Sequence, residues 1–320
     1  MKELAREQLE DGNFILKSKM TLNADYCVCS CENETLQLFS LETQSKYLQY
    51  KFPSTLFDFD LLPSFSQNLI LSSCKDSPLQ LKALCDNSVV ESYAIKSENE
   101  EFLMATAVSF NADGSYFVAG TGKKNKLVIF RTDCSNMNAY CEFDLDCWKT
   151  PISCCKYFLH DANLVAFGSY TENSVGICDT RTKSIQAAFS TGQESNGVFQ
   201  IYPISEQFII VNNRKDNFIR YYDMRMNSSV QNYHREYPDS YQKLFFDVLW
   251  TSDFFHLIYG DKNGNCILQP LLQGTDEMLI KIADSPVSCC SAYYKDNEFR
   301  IFAASGERFN GPNYVHFLSI

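Results

Sequence analysis

The pentapeptide PISCC at residues 151–155 recurs as PVSCC at residues 286–290. Each copy is followed, about ten residues later, by a second apolar run that ends in small residues, NLVAFGS (163–169) after the first copy and FRIFAAS (299–305) after the second. Short apolar runs bounded by polar turns indicate β-strands. A pair of strands that repeats within one chain is typical of a fold assembled from several copies of one small sheet.

The same order of strand, short turn, strand ending in small residues, polar turn and strand continues along the whole chain. Third strands are predicted at TLQLFS (35–40), LQLKAL (79–84), KLVIFR (126–131), SVGICDT (174–180), FIRYYDM (218–224), CILQP (266–270) and YVHFLS (314–319). Their centres are on average about 46 residues apart, close to the ~40–45 residues of a WD40 blade. The sequence therefore predicts an all-β fold, a seven-bladed WD40 β-propeller with diverged repeats, in which residues 1–320 form a single domain.

Outer fourth strands follow most of these third strands. They are predicted at YLQYKF (47–52), VVESYAI (89–95), NAYCEFD (138–144), SIQAAFS (184–190) and EMLIKI (277–282). The last blade has no such segment after its third strand, and a closed propeller leaves no strand edge unpaired. We therefore expect the N-terminal segment around residues 2–9 to close the last blade, although Leu4, Ala5 and Leu9 among charged residues form a pattern more typical of a helix.

The signature residues of WD40 repeats are partly present. Two third strands end in a degenerate Trp-Asp dipeptide followed by arginine, in CDTR (178–181) and YDMR (222–225). The turn NADG (111–114) is typical of the connection between the first two strands of a blade, because Gly114 can adopt a positive φ. The Gly-His dipeptide of regular repeats is absent, so another propeller class is the alternative. The residues predicted to have the structural role of the signature are Asp179, Arg181, Asp223 and Arg225.

Composition limits the classes of protein that the chain could represent. It has no run of eighteen apolar residues, and its N-terminus is charged from Lys2 onward, so we expect a soluble, unsecreted protein without a membrane segment. The fourteen cysteines are then expected to be reduced; Cys27, Cys29 and Cys31 alternate, which places them on one face of a strand as buried apolar residues. No CxxC or paired-histidine motif occurs, so neither a metal site nor a cofactor is predicted.

The sequence contains no motif typical of a catalytic site. The four histidines have no accompanying nucleophile motif, so structural roles are predicted for all of them. The stretch GTGKK (120–124) lies between two predicted strands and does not precede a helix, which indicates a hairpin turn and not a phosphate-binding loop. No catalytic residue is predicted, and we do not expect an enzyme. The histidines are His160, His234, His256 and His316.

The turns between second and third strands should project to one face of the propeller. The net charge of −11 argues against a surface built for non-specific nucleic-acid binding, but it leaves room for a local basic patch. Cations beside an aromatic side chain suit an unpaired RNA strand, because phosphates meet charge and bases can stack. Solvated turn residues and an acidic loop at residues 97–101, which would suit a basic protein, are the alternatives. The RNA-binding candidates are Lys75, Lys123, Lys124, Lys126, Tyr170, Arg214 and Lys215.

Short stretches of the middle of the chain carry a family resemblance. They are SSCKDSPLQL (72–81), VSFNADG (108–114), GSY (168–170) and RKD (214–216) leading to YDMR (222–225). In order and blade position they resemble the telomerase Cajal body protein family of WD40 propellers, including its fungal relatives associated with pre-mRNA splicing. Members commonly keep a clear Trp-Asp and a long N-terminal extension; their absence here favours a compact fungal-type relative.

The resemblance implies a function and a location. In that family the propeller recognises small nuclear RNAs, including small Cajal body RNAs and, in animals, telomerase RNA. It therefore implies a nuclear assembly factor that binds such an RNA together with ribonucleoprotein (RNP) proteins, as a monomeric propeller within a larger complex. A protein-only scaffold in the nucleus or the cytoplasm is the alternative from a different class.

Overall fold

The structure is a computed structural model, and its strands form small antiparallel sheets. It describes residues 2–10, 13–97, 99–133, 139–145, 148, 151–191, 197–238, 242–251, 254–272, 277–295, 298–308 and 310–320. Within these ranges every regular element is a β-strand, and seven four-stranded sheets are arranged as a seven-bladed β-propeller. The fold class predicted from the repeats is confirmed. The chain divides into two compact units, Met1–Pro53 with His234–Ile320, and Ser54–Tyr233.

The first unit holds blades one, six and seven; in blades one and six the four strands pair in sequence order, whereas the outer strand of blade seven comes from the N-terminal segment. Blade one consists of β2 (Ile15–Met20), β3 (Tyr26–Cys31), β4 (Thr35–Ser40) and β5 (Ser45–Lys51). Blade six consists of β24 (Phe246–Trp250), β25 (Phe255–Gly260), β26 (Asn265–Pro270) and β27 (Met278–Lys281). Blade seven consists of β28 (Val287–Lys295), β29 (Glu298–Glu307), β30 (Asn310–Ser319) and, as its outer strand, β1 (Lys2–Gln8).

The second unit holds blades two to five. Blade two consists of β6 (Leu56–Leu61), β7 (Leu69–Cys74), β8 (Leu79–Ala83) and β9 (Val89–Tyr93), and blade three of β12 (Ala105–Phe110), β13 (Tyr116–Thr121), β14 (Lys126–Arg131) and β15 (Cys141–Asp144). Blade four consists of β16 (Ile152–Tyr157), β17 (Leu164–Ser169), β18 (Ser174–Asp179) and β19 (Ser184–Ser190), and blade five of β20 (Val198–Pro203), β21 (Phe208–Asn213), β22 (Phe218–Asp223) and β23 (Ser228–His234). All seven third strands lie where the sequence predicts them.

One element of the second unit was not predicted from the repeats. A two-stranded hairpin, β10 (Ile95–Lys96) with β11 (Phe102–Leu103), separates blade two from blade three. Ser97 closes it, because its N–H donates to the carbonyl of Glu101 (2.9 Å) and its hydroxyl accepts the Glu101 N–H (3.2 Å). The acidic loop of the sequence analysis is therefore the tip of an ordered hairpin; Glu98 lies outside the described residues.

The serine of the PISCC and PVSCC motifs links one blade to the next. The register of the inner strand shifts between Ile152 and Cys154 in blade four, and at the matching position in blade seven, which marks a β-bulge. The bulged Ser153 donates its hydroxyl to the carbonyl of Val198 on the inner strand of blade five. In blade seven, Ser288 donates to the carbonyl of Ile15 on the inner strand of blade one (3.1 Å). Both copies of the motif thus bury a serine hydroxyl between two neighbouring inner strands.

The alternating cysteines of β3 are buried as predicted. Cys27, Cys29 and Cys31 pack in one apolar cluster with Cys289 of the PVSCC motif and with Phe302. Burial raises the pKa of the Cys31 thiol to about 12, so this thiol stays protonated and behaves as a small apolar group. All twelve cysteines within the described ranges are free thiols.

The N-terminal segment closes the last blade, as predicted, but it does so as a strand. β1 pairs antiparallel with β30 from Lys2, opposite Ser319, to Gln8, opposite Tyr314. The helix-like pattern was misleading because Leu4 and Ala5 pack against the apolar cluster of blades seven and one, and strand pairing overrides a weak helix preference. No helix in the described part of the chain is long and apolar enough to cross a membrane.

Candidate functional site

The turn between the second and third strands is anchored in the same way in blades two to five. Its first residue donates its backbone N–H to a carbonyl that immediately precedes the inner strand of the same blade. The pairs are Lys75 with Thr55 (2.8 Å), Gly122 with Met104 (2.9 Å), Tyr170 with Pro151 (3.3 Å) and Arg214 with Gly197 (2.9 Å). Lys75, Tyr170 and Arg214 therefore occupy equivalent positions in blades two, four and five.

Tyr170 and Arg214 form the centre of the candidate site. The guanidinium carbon of Arg214 lies 5.8 Å from the centre of the Tyr170 ring, and Nη1 donates to the Tyr170 carbonyl (3.4 Å). Gly197, at φ +86°, makes this approach possible, since a Cβ there would lie 2.0 Å from the Tyr170 carbonyl oxygen. The pair offers a planar cation next to an aromatic ring at one end of two neighbouring blades.

The lysines of blade three differ in what they offer to a ligand. Lys123 and Lys124 are exposed, and the ammonium of Lys124 lies 4.0 Å from Glu101 at the tip of the β10–β11 hairpin. Lys126 is only 7% exposed and pairs with Glu142 (3.2 Å) and Asp144 (3.1 Å). Burial lowers its pKa, but these two carboxylates outweigh burial and leave the pKa raised. The Lys126 charge is thus compensated within its own blade.

In the RKD motif of blade five, Asp216 has a structural role and Lys215 is exposed. Asp216 is buried, accepts the Phe218 N–H (3.0 Å) and pairs with the buried Arg220. This holds the turn in a shape that leaves Lys215 exposed, at φ +55°. Lys75 is likewise exposed in the turn of blade two.

The Trp-Asp-like residues form two matching forks at the ends of β18 and β22. Asp179 accepts hydrogen bonds from Nε (3.0 Å) and Nη2 (2.7 Å) of Arg181, and Asp223 accepts the same pair from Arg225 (3.0 and 2.6 Å). The Arg181 hydrogen bonds lower the pKa of Asp179, and those of Arg225 lower the pKa of Asp223. These four residues brace the turns before the outer strands, at the opposite end of the blades from Tyr170 and Arg214.

A buried hydrogen-bond chain in blade seven was missed by sequence reasoning. Nδ1 of His316 lies 2.6 Å from a Glu3 oxygen, and Nε2 lies 2.8 Å from the Ser305 hydroxyl. Burial lowers the pKa of His316, although Glu3 opposes this, so the neutral ring donates to the carboxylate and accepts from the serine. Ser305 is 2% and His316 0% exposed. The chain therefore joins β29, β30 and β1, and its serine is shielded from solvent.

Acidification is expected to destabilise the fold through His316. The pKa of the folded state is lowered, whereas the unfolded chain titrates near the ordinary value of about 6.5. Below that pH the unfolded state binds more protons, so the free energy of unfolding falls as the pH decreases, by at most about 1.4 kcal/mol per pH unit. Urea titrations at several pH values below about 6.5 measure how the free energy of unfolding depends on pH. His316→Gln removes the titrating group and should give a flatter dependence; identical slopes would contradict the assignment.

The fold and the site define a WD40-like β-propeller, and comparisons with known proteins add no closer identification. No family model matches the chain, and no curated protein matches it. The likeness to the telomerase Cajal body protein family stays a prediction from the sequence. In the described part of the chain, no group of three or more His, Cys, Asp or Glu side chains is placed to hold a metal ion.

Proposed function

We propose that this protein binds single-stranded segments of a small nuclear RNA through the turns of blades two to five, and that it acts as an assembly factor for small nuclear RNA particles. The observation that carries the proposal is the Tyr170–Arg214 pair beside the exposed Lys215. The family resemblance supports small Cajal body or spliceosomal RNA as the ligand, with telomerase RNA as an alternative ligand. It also supports RNP proteins as further partners and the nucleus as the location.

The chemistry of the pair suits an unpaired RNA strand. A base can stack on an aromatic ring or on a guanidinium plane, and such stacking contributes about 1–3 kcal/mol per base. Tyr170 is partly exposed, and the hydrogen bond from its N–H to the Pro151 carbonyl anchors the backbone of its turn. Lys215 lies directly after Arg214 in the same turn, so a phosphate adjoining the stacked base would meet a cation.

The charge distribution would direct RNA to a limited surface. The whole chain carries −11, so phosphates are repelled by most of the protein. Exposed cations in the described turns at this end of blades two, three and five include Lys75, Lys123, Lys124 and Lys215. Glu101 lies beside Lys124 and weakens its contribution, and Lys126 is excluded from the proposal because its charge is already paired.

Charge reversal at the site tests the proposal. The variant K123E/K124E/K215E is expected to bind a labelled oligouridine about 100-fold more weakly than the native chain. The plot of log K against log[salt] should also become less steep by about 2, which corresponds to the loss of three phosphate contacts on a single strand. The matched control, K2E/K51E/K183E, has the same net charge and alters exposed lysines elsewhere. Fluorescence anisotropy at several salt concentrations measures both. Equal losses of oligouridine affinity in the two variants would contradict the proposed binding site.

Two Tyr170 variants of the same experiment separate stacking from charge. Tyr170→Phe keeps the ring and should retain oligouridine binding, whereas Tyr170→Ala should lose about 1–3 kcal/mol of binding free energy with an unchanged salt slope. Duplex RNA should bind more weakly than oligouridine, since its bases are not accessible for stacking.

The protein-only scaffold remains the second candidate, because the β10–β11 hairpin exposes Glu100 and Glu101. A partner that reads this hairpin would be basic and would stay attached after RNA digestion. Release of the copurifying proteins by ribonuclease supports the RNA proposal; their retention on the native chain, together with their loss from E100K/E101K, supports the scaffold.

A further inference from the structure

One end of blade six exposes an unusual number of large apolar side chains. Trp250 is 58%, Phe254 44%, Leu272 54%, Met278 36% and Leu279 53% exposed. We call these five residues the blade-six apolar edge. Single exposed apolar residues are ordinary on a protein surface, but a contiguous group marks a place where another molecule binds.

Strand pairing brings these residues together. Trp250, at the end of β24, is paired with Phe255 at the start of β25, and their rings meet at 4.4 Å and 77°. The N–H of Leu271 donates to the Phe255 carbonyl (2.8 Å), which places Leu272 beside the start of β25. Met278 begins the outer strand β27, opposite Leu268. The edge thus crosses all four strands, a width of roughly 14 Å at the usual spacing between strands.

Leu272 has a backbone conformation that a leucine adopts rarely. Its φ is +62°, in the left-handed region, where a Cβ costs about 1 kcal/mol and glycine or asparagine is favoured. Four other turns between third and outer strands also contain a residue of positive φ, and in each it is polar: Gln44, Asn87, Lys183 and Asn227. Among these five turns, only the turn of blade six has an exposed apolar residue at the position of positive φ. Glycine or asparagine would adopt this backbone conformation with less strain than leucine.

The charges of blade six indicate what would bind there. Residues 245–284 include six acidic and two basic side chains. The two bases, Lys262 and Lys281, pair with Glu236 (3.2 Å) and Asp284 (3.5 Å) at the end of the blade away from Trp250. Glu277, exposed, directly precedes Met278. Residues 245–284 are therefore net negative, and none of their lysines or arginines lies at the Trp250 end, so this end of the blade is expected to repel nucleic acid and to attract a basic peptide.

We propose that the blade-six apolar edge binds a short segment of a partner protein in which apolar side chains adjoin lysine or arginine. Trp250 and Leu272 are the contacts expected to contribute most, because large apolar side chains near the centre of an interface supply most of its binding energy. This surface belongs to a different blade from the Tyr170–Arg214 site, and the inference does not depend on RNA binding.

A designed peptide tests the edge without knowledge of the natural partner. The probe is a labelled peptide with alternating Leu, Phe and Leu between paired lysines; one comparison peptide has glutamates in place of the lysines and another has serines in place of the apolar residues. The full chain is expected to bind only the lysine-flanked apolar peptide. Leu272→Asn should weaken this binding about tenfold or more, while the melting temperature stays equal or rises, because asparagine tolerates positive φ.

Matched variants make the result decisive. W250S/L272N should abolish peptide binding, whereas V89T/V90T, which alters exposed apolar residues of β9, should leave it unchanged. Oligouridine binding should be the same in W250S/L272N as in the native chain, so that this inference and the RNA proposal can fail separately. Equal binding of the three peptides, unchanged affinity of L272N, loss of oligouridine binding in W250S/L272N, or conversion of a native oligomer to a monomer by that variant would each overturn the proposal.

Discussion

A chain that lacks the outer strand of blade seven, Lys2–Gln8, is expected either to lose more than about 4 kcal/mol of its free energy of unfolding or to fail to fold. β1 pairs with β30 along its whole length, so its removal exposes the backbone groups of β30 to solvent. It also removes Leu4 and Ala5 from the apolar cluster around Phe317, and Glu3 from the buried His316. Urea unfolding followed by tryptophan fluorescence measures the loss.

A peptide with the sequence of β1 provides the control for this truncation. If the missing strand is the cause, adding the peptide should restore stability through β-strand addition to the edge of β30. A peptide of the same composition in scrambled order should not. An unchanged urea midpoint of the truncated chain, or equal rescue by both peptides, would show that β1 is dispensable for the blade.

Replacement of Phe117 by alanine is expected to destabilise the second unit by about 3–5 kcal/mol. Phe117 is fully buried on β13 and contacts three aromatic rings: Tyr93 at 4.8 Å, Phe130 at 5.2 Å and Phe110 at 5.9 Å between ring centres. These rings join blades two and three, so the cavity cannot close by the movement of one side chain. The loss combines transfer of the ring to water with the cavity left behind.

Phe65→Ala is the matched control, because it is the same substitution at a residue that is 75% exposed. It should change the free energy of unfolding by no more than about 0.5 kcal/mol. Urea and thermal unfolding of both variants give the comparison. A Phe117→Ala loss no larger than that of Phe65→Ala would contradict the packing described for these two blades.

Local sequence patterns predicted the strands and the buried cysteines of this protein. The third strands were identifiable because each is a short apolar run between polar turns, and this pattern does not depend on distant residues. Cys27, Cys29 and Cys31 were placed on one face by the two-residue period of a strand, and all three are buried. The closing role of the N-terminal segment followed from counting strands, whereas its own composition suggested a helix.

The candidate site was only partly accessible to the same reasoning. The turns were located correctly, but the pairing of Lys126 with Glu142 and Asp144 depends on the register between β14 and β15. The contact between Tyr170 and Arg214 depends on equivalent positions in two neighbouring blades. Neither relation leaves a signal in a single sequence, because the interacting residues are brought together by sheets that form over long separations.

The amino-acid sequence by itself determined the number of blades and the location of their strands, since apolar periodicity and turn residues act over a few neighbouring positions. Only the tertiary structure decided which polar side chains meet. The serine of PISCC and PVSCC donates to a different blade, and Glu3 reaches a histidine that lies 313 residues away. A buried hydrogen bond forms wherever packing excludes water and brings a donor to an acceptor, and that geometry exists only once the blades have assembled.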